Sequence, residues 1–201
     1  MTVAHSAALR ADLVVIAAIV PAGARVLDVG CGDGALLTAL RDTKGVDGRG
    51  IELSSSNVAA AVARGLSVVQ GDADTDLGDY PSDAFDMVIL SDALQAMRAP
   101  DMVLAELLRI GRTALISFPN FGYWRVRLSL LLGGRMPMTA TLPVPWYATP
   151  NIHLCTIADF RMLAAAQGLT VERAIFLAGD DAVGGGSANW RADRAIFLLR
   201  R

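Results

Sequence analysis

Residues 25–34 read Arg-Val-Leu-Asp-Val-Gly-Cys-Gly-Asp-Gly, and this stretch decides the fold. Val26, Leu27 and Val29 make a short apolar run of the kind buried on both faces of a parallel sheet. Gly30, Gly32 and Gly34 follow at once, so a strand runs straight into a tight glycine turn. From Ala35 to Leu40 helix formers take over, with Leu36, Leu37 and Leu40 on one side. The glycines therefore separate a strand end from a helix N-terminus, where backbone N–H groups are expected to lie open to a ligand. Asp28 is the odd member, because an ionisable side chain in a buried strand is costly unless it is paired or hydrogen-bonded.

Three readings compete. The first is a structural turn with Asp28 bonded to loop amides. The second is a dinucleotide site, which calls for G-x-G-x-x-G and room for a pyrophosphate on the helix end. Here the spacing is G-x-G-x-G, one residue tighter. The third is a nucleoside cofactor without phosphate: the aspartate-led loop resembles motif I of the class I S-adenosylmethionine (SAM) methyltransferases. That resemblance implies a loop backbone packed on the cofactor and a nearby acid holding its methionine ammonium.

A chain of 201 residues with 53% hydrophobic content can bury one large core, so the whole of 1–201 is expected to form one domain. A net charge of −2 gives no broad basic field, which argues against nucleic acid or an anionic membrane as partner. The only lysine, Lys44, is followed by Gly45, so there is no Walker A motif. Cys31 and Cys155 lie far apart, which fits a reducing cytoplasm rather than a disulfide framework. His5 and His153 are the only histidines, and His153 with Cys155 supplies too few ligands for zinc; no metal is expected.

Leu13–Val20 is wholly apolar and is followed by Pro21-Ala22-Gly23-Ala24, superficially like a signal peptide. Asp12 abuts the run, and a helix over Ser6–Val20 covering the sheet is the better account. Gly48–Leu53 reads as a second strand ending at Glu52, eighteen residues past Gly34. That is close to the roughly 20 expected of an acid that binds ribose hydroxyls. Ser54-Ser55-Ser56 offers helix N-caps for Asn57–Arg64, and Leu66–Gln70 is a third strand ending at Gly71-Asp72-Ala73-Asp74. In the methyltransferase pattern an acid there accepts from the adenine amino group, and Asp72 matches it. Phe85–Leu90 is a fourth strand, with Ser91 after it at the carboxyl edge where open α/β sheets bind ligands. A helix over Pro100–Ile110 and a strand over Thr113–Phe118 continue the alternation of a doubly wound parallel sheet.

Pro119–Pro150 breaks the rhythm with a leucine-rich helical turn, Gly133-Gly134, and prolines at 137, 143, 145 and 150. Such excursions at a sheet edge serve as lids, binding loops or docking surfaces. Ile157–Gly168 reads as a helix with Phe160, Leu163 and Ala164 inward. Leu169–Leu177 and Arg194–Leu199 read as a final antiparallel edge pair joined by a loose Gly179–Asn189 connection, which brings the count to seven strands. The fold expected is an α/β, Rossmann-like, doubly wound seven-stranded sheet of class I methyltransferase type.

Beyond the glycine loop, residues 61–72, Ser117-Phe118-Pro119-Asn120-Phe121-Gly122 and Trp146-Tyr147-Ala148-Thr149-Pro150-Asn151-Ile152-His153-Leu154-Cys155-Thr156 resemble the MetW family of methionine-biosynthesis proteins. The similarity runs from about Leu13 to Leu177. It implies a class I methyltransferase fold and a role as partner or activator of a homoserine O-acyltransferase. The cofactor implied is SAM or S-adenosylhomocysteine, held by Asp28, Gly30, Cys31, Gly32, Gly34, Glu52, Leu53, Asp72, Ala73 and Ser91.

The acceptor half is less legible. Methyl transfer needs an aligned acceptor and, where that acceptor carries a proton, a base. His153 is the one weak candidate for a catalytic base, and beside Ile152 and Leu154 it also reads as structural. Trp124, Trp146, Tyr147 and His153 mark a substrate or partner region. Two functions stay open: a cofactor-binding regulator that docks on an acyltransferase through Pro119–Pro150, and an active methyltransferase on a small-molecule acceptor. A dehydrogenase with a Tyr-x-x-x-Lys pair is excluded, since Leu40 stands four residues before Lys44.

Overall fold

The computed structural model describes residues 9–201; His5 and the start of the expected N-terminal helix lie outside them. Helix α1 (Ala11–Ile19) precedes β1 (Arg25–Val29), α2 (Ala35–Lys44), β2 (Asp47–Glu52), α3 (Ser55–Ala63) and β3 (Ser67–Gln70). Then come β4 (Phe85–Ser91), α4 (Pro100–Ile110), β5 (Gly111–Pro119), α5 (Trp124–Gly133), α6 (Ile157–Ala166), β6 (Thr170–Ala178), β7 (Asp181–Ala182), α7 (Ala188–Arg191) and β8 (Arg194–Arg200). One sheet has the order β3-β2-β1-β4-β5-β8-β6-β7. The first five strands are mutually parallel, and β8 lies antiparallel to both β5 and β6.

Two points differ from the sequence reading. The sheet has eight strands rather than seven. The chain leaves β6 through Gly179, at a φ of +64°, and pairs Leu177 with Ala182 and Ala178 with Asp181. A two-residue strand is too short to leave any alternation in the sequence. The last long strands do pair antiparallel at that end of the sheet as expected, but in reversed order: β8 inserts between β5 and β6, and its Ala195, Ile196, Phe197 and Leu199 are buried. The expected loose connection carries α7, whose Ala188 is buried beside Ala192 in the main core.

Alternation along β1 sorts the core. Leu27 and Val29 pack with α4, α6 and the Phe118, Phe160 and Phe197 rings on one face. Val26 faces Ile16, Val20, Leu36 and Leu40 of the α1 and α2 layer on the other. Each fully buried aliphatic or aromatic side chain contributes about 1.5–3 kcal/mol over its exposed state. Lys44 donates to the carbonyls of Ala18 and Val20, closing α1 against the end of α2.

Asn120 fixes the point where β5 leaves the sheet. Its amide donates to Ala192 O at 2.7 Å and Asn189 O at 3.3 Å, while its Oδ1 accepts from Gly122 N and Ile157 N. One buried side chain thereby joins β5, α6 and α7. The expected serine caps are absent: Ser54 occupies the N-cap position of α3, but its hydroxyl pairs with Ser56. Its N–H goes to Glu52 Oε1, tying the start of α3 to the end of β2. No helix among the described residues is long and apolar enough to cross a membrane.

Candidate functional site

The glycine turn after β1 uses left-handed backbone at Gly30, Gly32 and Gly34, with φ of +71°, +56° and +77°. The glycine amides are not open, contrary to the expectation from sequence. Gly30 and Cys31 both donate to Ile51 O, Gly32 donates to Glu52 Oε2 at 2.9 Å, Gly34 to Cys31 O, and Ala35 to Asp33 Oδ1. For Gly30, Cys31 and Gly32 the cause is β2, whose Ile51 carbonyl and terminal Glu52 carboxylate reach across the turn. A pyrophosphate would find these donors already spent. Gly34 lies against α3, where a Cβ would collide with Leu66 and come within 3.2 Å of Ala61. That glycine permits close helix packing.

Asp28 is 3% exposed, and no described residue donates a hydrogen bond to its carboxylate. Burial, reinforced by the charge of Glu52 and opposed by Arg10, pushes its carboxyl up to about 7. It faces a cavity of about 300 Å³ walled by Arg10, Leu13, Gly30, Cys31, Gly32 and Leu36. A buried acid without a donor, opposite a guanidinium in one small cavity, suits a ligand that brings an ammonium and a carboxylate together.

Arg10 is held for that position. Its guanidinium reaches Asp12 Oδ2, Ser91 Oγ and Asp92 Oδ2, each at 3.0 Å. Burial works against its charge, but Asp92 and Asp12 outweigh it and raise its pKa. Asp12, 1% exposed, also accepts from Ser91 and Ser117, and Arg194 contacts both Asp12 and Asp92. Sequence reasoning missed Arg10, Asp12, Asp92 and Arg194 as members of the site. Asp12 beside an apolar run was a visible signal, but nothing local links it to a residue 182 positions away.

A second cavity of about 600 Å³ contains Gly30, Glu52, Leu53, Asp72, Ala73 and Ser91. Gly30 and Ser91 wall both cavities, so the two form one crevice along the carboxyl ends of β1, β2, β3 and β4. Every sequence-derived cofactor residue except Gly34 lines it. Asp72 accepts from Asp74 N and stands 3.6 Å from the Arg98 guanidinium. Burial pushes the Cys31 thiol up to about 12 and the Cys155 thiol up to about 11, which disfavours the reactive thiolate in both.

The substrate or partner residues do not converge. Trp146 walls a third cavity, a chamber beneath residues 136–154, yet it is 70% exposed. Tyr147 is exposed and meets Trp146 edge-on at 5.8 Å. Trp124 packs on Tyr123 under Arg125. His153 is exposed, with its Nε2 3.3 Å from Arg98 O and its backbone N–H on Gln95 O. It walls none of these three cavities. The acceptor-side grouping read from sequence is therefore spread over the surface of the excursion.

The chain is similar to known proteins along nearly its whole length. It is 36% identical over 205 residues to the bifunctional methionine biosynthesis protein MetXA/MetW of Rhodopirellula baltica. That match covers 96% of this chain and 33% of the relative, so the chain spans about a third of the relative's length. Among solved structures, an S-adenosylmethionine dependent methyltransferase from Mesorhizobium loti superposes with a TM-score of 0.71 at 18% identity, covering 95% of this chain and 98% of that one. The magnesium protoporphyrin IX methyltransferase of Synechocystis with bound SAH gives 0.62 at 18% identity, over 95% and 80% of the two chains. These likenesses show the class I methyltransferase fold. A family model described as methionine biosynthesis protein MetW matches residues 10–199, and the chain belongs to that family.

Proposed function

We propose that the crevice binds S-adenosylmethionine or S-adenosylhomocysteine, and that the chain serves methionine biosynthesis as the partner of a homoserine O-acyltransferase. The observation that carries the cofactor reading is Asp28: a buried carboxylate to which no described residue donates, lining a cavity that Arg10 also walls, beside glycine amides that are already engaged. Asp28 and Arg10 would hold the methionyl ammonium and carboxylate, Glu52 the ribose hydroxyls, and Asp72 the adenine amino group. The cofactor, when bound, supplies a methyl group on a sulfonium; the residues of this chain supply its orientation. Calorimetric titration with SAM, S-adenosylhomocysteine and NAD tests this, and a preference for NAD would overturn it.

The partner reading is supported by the relative whose name joins MetXA to MetW, and by the surface of the excursion. Leu131 and Leu132 on α5 are 80% and 76% exposed, and Met138, Trp146 and Tyr147 lie open nearby in the chain. Exposed apolar side chains of this kind mark interaction surfaces, and Trp and Tyr are frequent anchors in them. Co-expression with a homoserine O-acyltransferase and affinity capture is the test. Deletion of 133–145, or Leu131→Glu with Leu132→Glu, should abolish capture while leaving SAM titration intact; capture that survives both refutes the docking surface.

A second reading, methyl transfer to a small-molecule acceptor, is favoured by one observation: the chamber under residues 136–154 shares Asp92 and Pro150 with the crevice. Transfer of a labelled methyl group from SAM to small molecules of a cell extract, lost in Asp28→Asn, would select that reading.

A further inference from the structure

The chamber has a volume of about 490 Å³, within the range of small-molecule sites. Phe121, Met136, Leu142, Val144, Ile152 and Leu154 supply most of its apolar wall. The segment over it is folded back by reciprocal backbone bonds between Thr139 and Leu142 at 3.0 and 3.1 Å, which bring Thr141 and Leu142 into the wall. Asp92 is the one ionisable residue of the lining. Both of its oxygens are engaged, one by Arg10 at 3.0 Å and the other by Arg194. A charged group entering the chamber would lie against an apolar wall and meet no free counter-charge there. A neutral ligand needs none, and Thr141, Thr149 and Asn151 can meet a single hydroxyl or carbonyl.

Asp92 and Pro150 are also walls of the wider half of the crevice, so the chamber adjoins it there. We propose that the chamber is a second ligand site, one that takes a small, neutral, predominantly apolar molecule whose single polar end reaches the crevice beside Asp92. The assignment goes beyond the partner reading and requires no methyl transfer. If transfer occurs, the chamber names the class of acceptor.

The test is calorimetric titration of the full chain, without cofactor or acyltransferase, using hexanol, hexylammonium and hexanoate. Hexanol is expected to bind saturably with a negative heat-capacity change. The two charged analogues should bind at least about tenfold more weakly. Leu142→Trp, which fills the chamber, should abolish hexanol binding. Ile152→Glu, at a position open enough to tolerate charge, should reverse the preference toward hexylammonium. Non-saturable uptake of hexanol, equal binding of the three probes, or an unchanged preference in Ile152→Glu would overturn the assignment. Because cofactor and acyltransferase are absent from these titrations, their failure is distinct from a failure of either earlier reading.

Discussion

The carboxylate of Glu52, the last residue of β2, accepts the backbone N–H of Gly32 in the glycine turn at 2.9 Å. Its other oxygen takes the N–H of Ser54 at 2.9 Å. One side chain thus fixes the turn on one side and the start of α3 on the other, where Asn57 Nδ2 also reaches it at 3.5 Å, and the same residue lines the crevice. Glu52→Gln keeps one acceptor oxygen but replaces the other with an amide NH2, so one of the two backbone N–H groups meets a donor. It is expected to lower stability by about 1–2 kcal/mol and to weaken SAM binding by about tenfold or more. Urea unfolding and calorimetry check the two effects separately.

Asp28 gives a pH dependence of definite sign. Its carboxyl titrates near 7 in the folded protein against 3.8 for the free group. The folded state therefore holds the extra proton across that window, and stability falls as pH rises from about 4 to about 7 before levelling. Binding of an ammonium ligand runs the other way, because the charged carboxylate is the better partner. SAM affinity should rise about tenfold between about pH 6 and about pH 8. In Asp28→Asn both slopes should disappear, with higher thermal stability at pH 8 and weaker binding throughout.

Cys31 packs its sulfur against Gly50 of β2, where a Cβ would sit 2.5 Å from Sγ and 3.0 Å from Val68. Gly50→Ala should therefore cost about 1–3 kcal/mol through overpacking, seen as a lowered urea midpoint. With both thiols raised by burial, neither cysteine should react with a thiol-specific reagent at neutral pH until the chain is unfolded. Rapid labelling of the folded protein would contradict this.

Asn120→Ala removes a buried side chain that donates to Ala192 O and Asn189 O and accepts from Gly122 N and Ile157 N. Leaving those backbone groups without partners should destabilise the protein by about 2–4 kcal/mol. Since Asn120 lies outside the crevice, SAM affinity in the surviving folded fraction is expected to stay within about twofold of the parent.

Much of this was legible before the coordinates. The apolar run of β1, the leucines of α2 and the regular return of strand and helix announced a doubly wound sheet, because burial on two faces leaves continuous apolar strands. Asp28 stood out for the same reason, as a charge where only apolar residues belong. Less was visible at the carboxyl-terminal end. The insertion of β8 between β5 and β6 depends on strand pairing across distant segments, which no local periodicity records. The substrate-region aromatics shared a proline-rich segment in sequence, yet Trp124, Tyr147 and His153 do not wall the crevice or the chamber. Irregular backbone gives no period from which to read direction.

The sequence by itself determined the alternating architecture, the acids at the tips of β1, β2 and β3, and the absence of a phosphate-loop lysine, because these are properties of residue type and spacing. Only the tertiary structure decided that the amides of Gly30, Cys31 and Gly32 are spent on β2, that Arg10 and Asp28 wall one cavity, and that an apolar chamber adjoins the crevice. Those features come from groups far apart in the chain whose hydrogen bonds and burial are fixed only when the whole sheet closes.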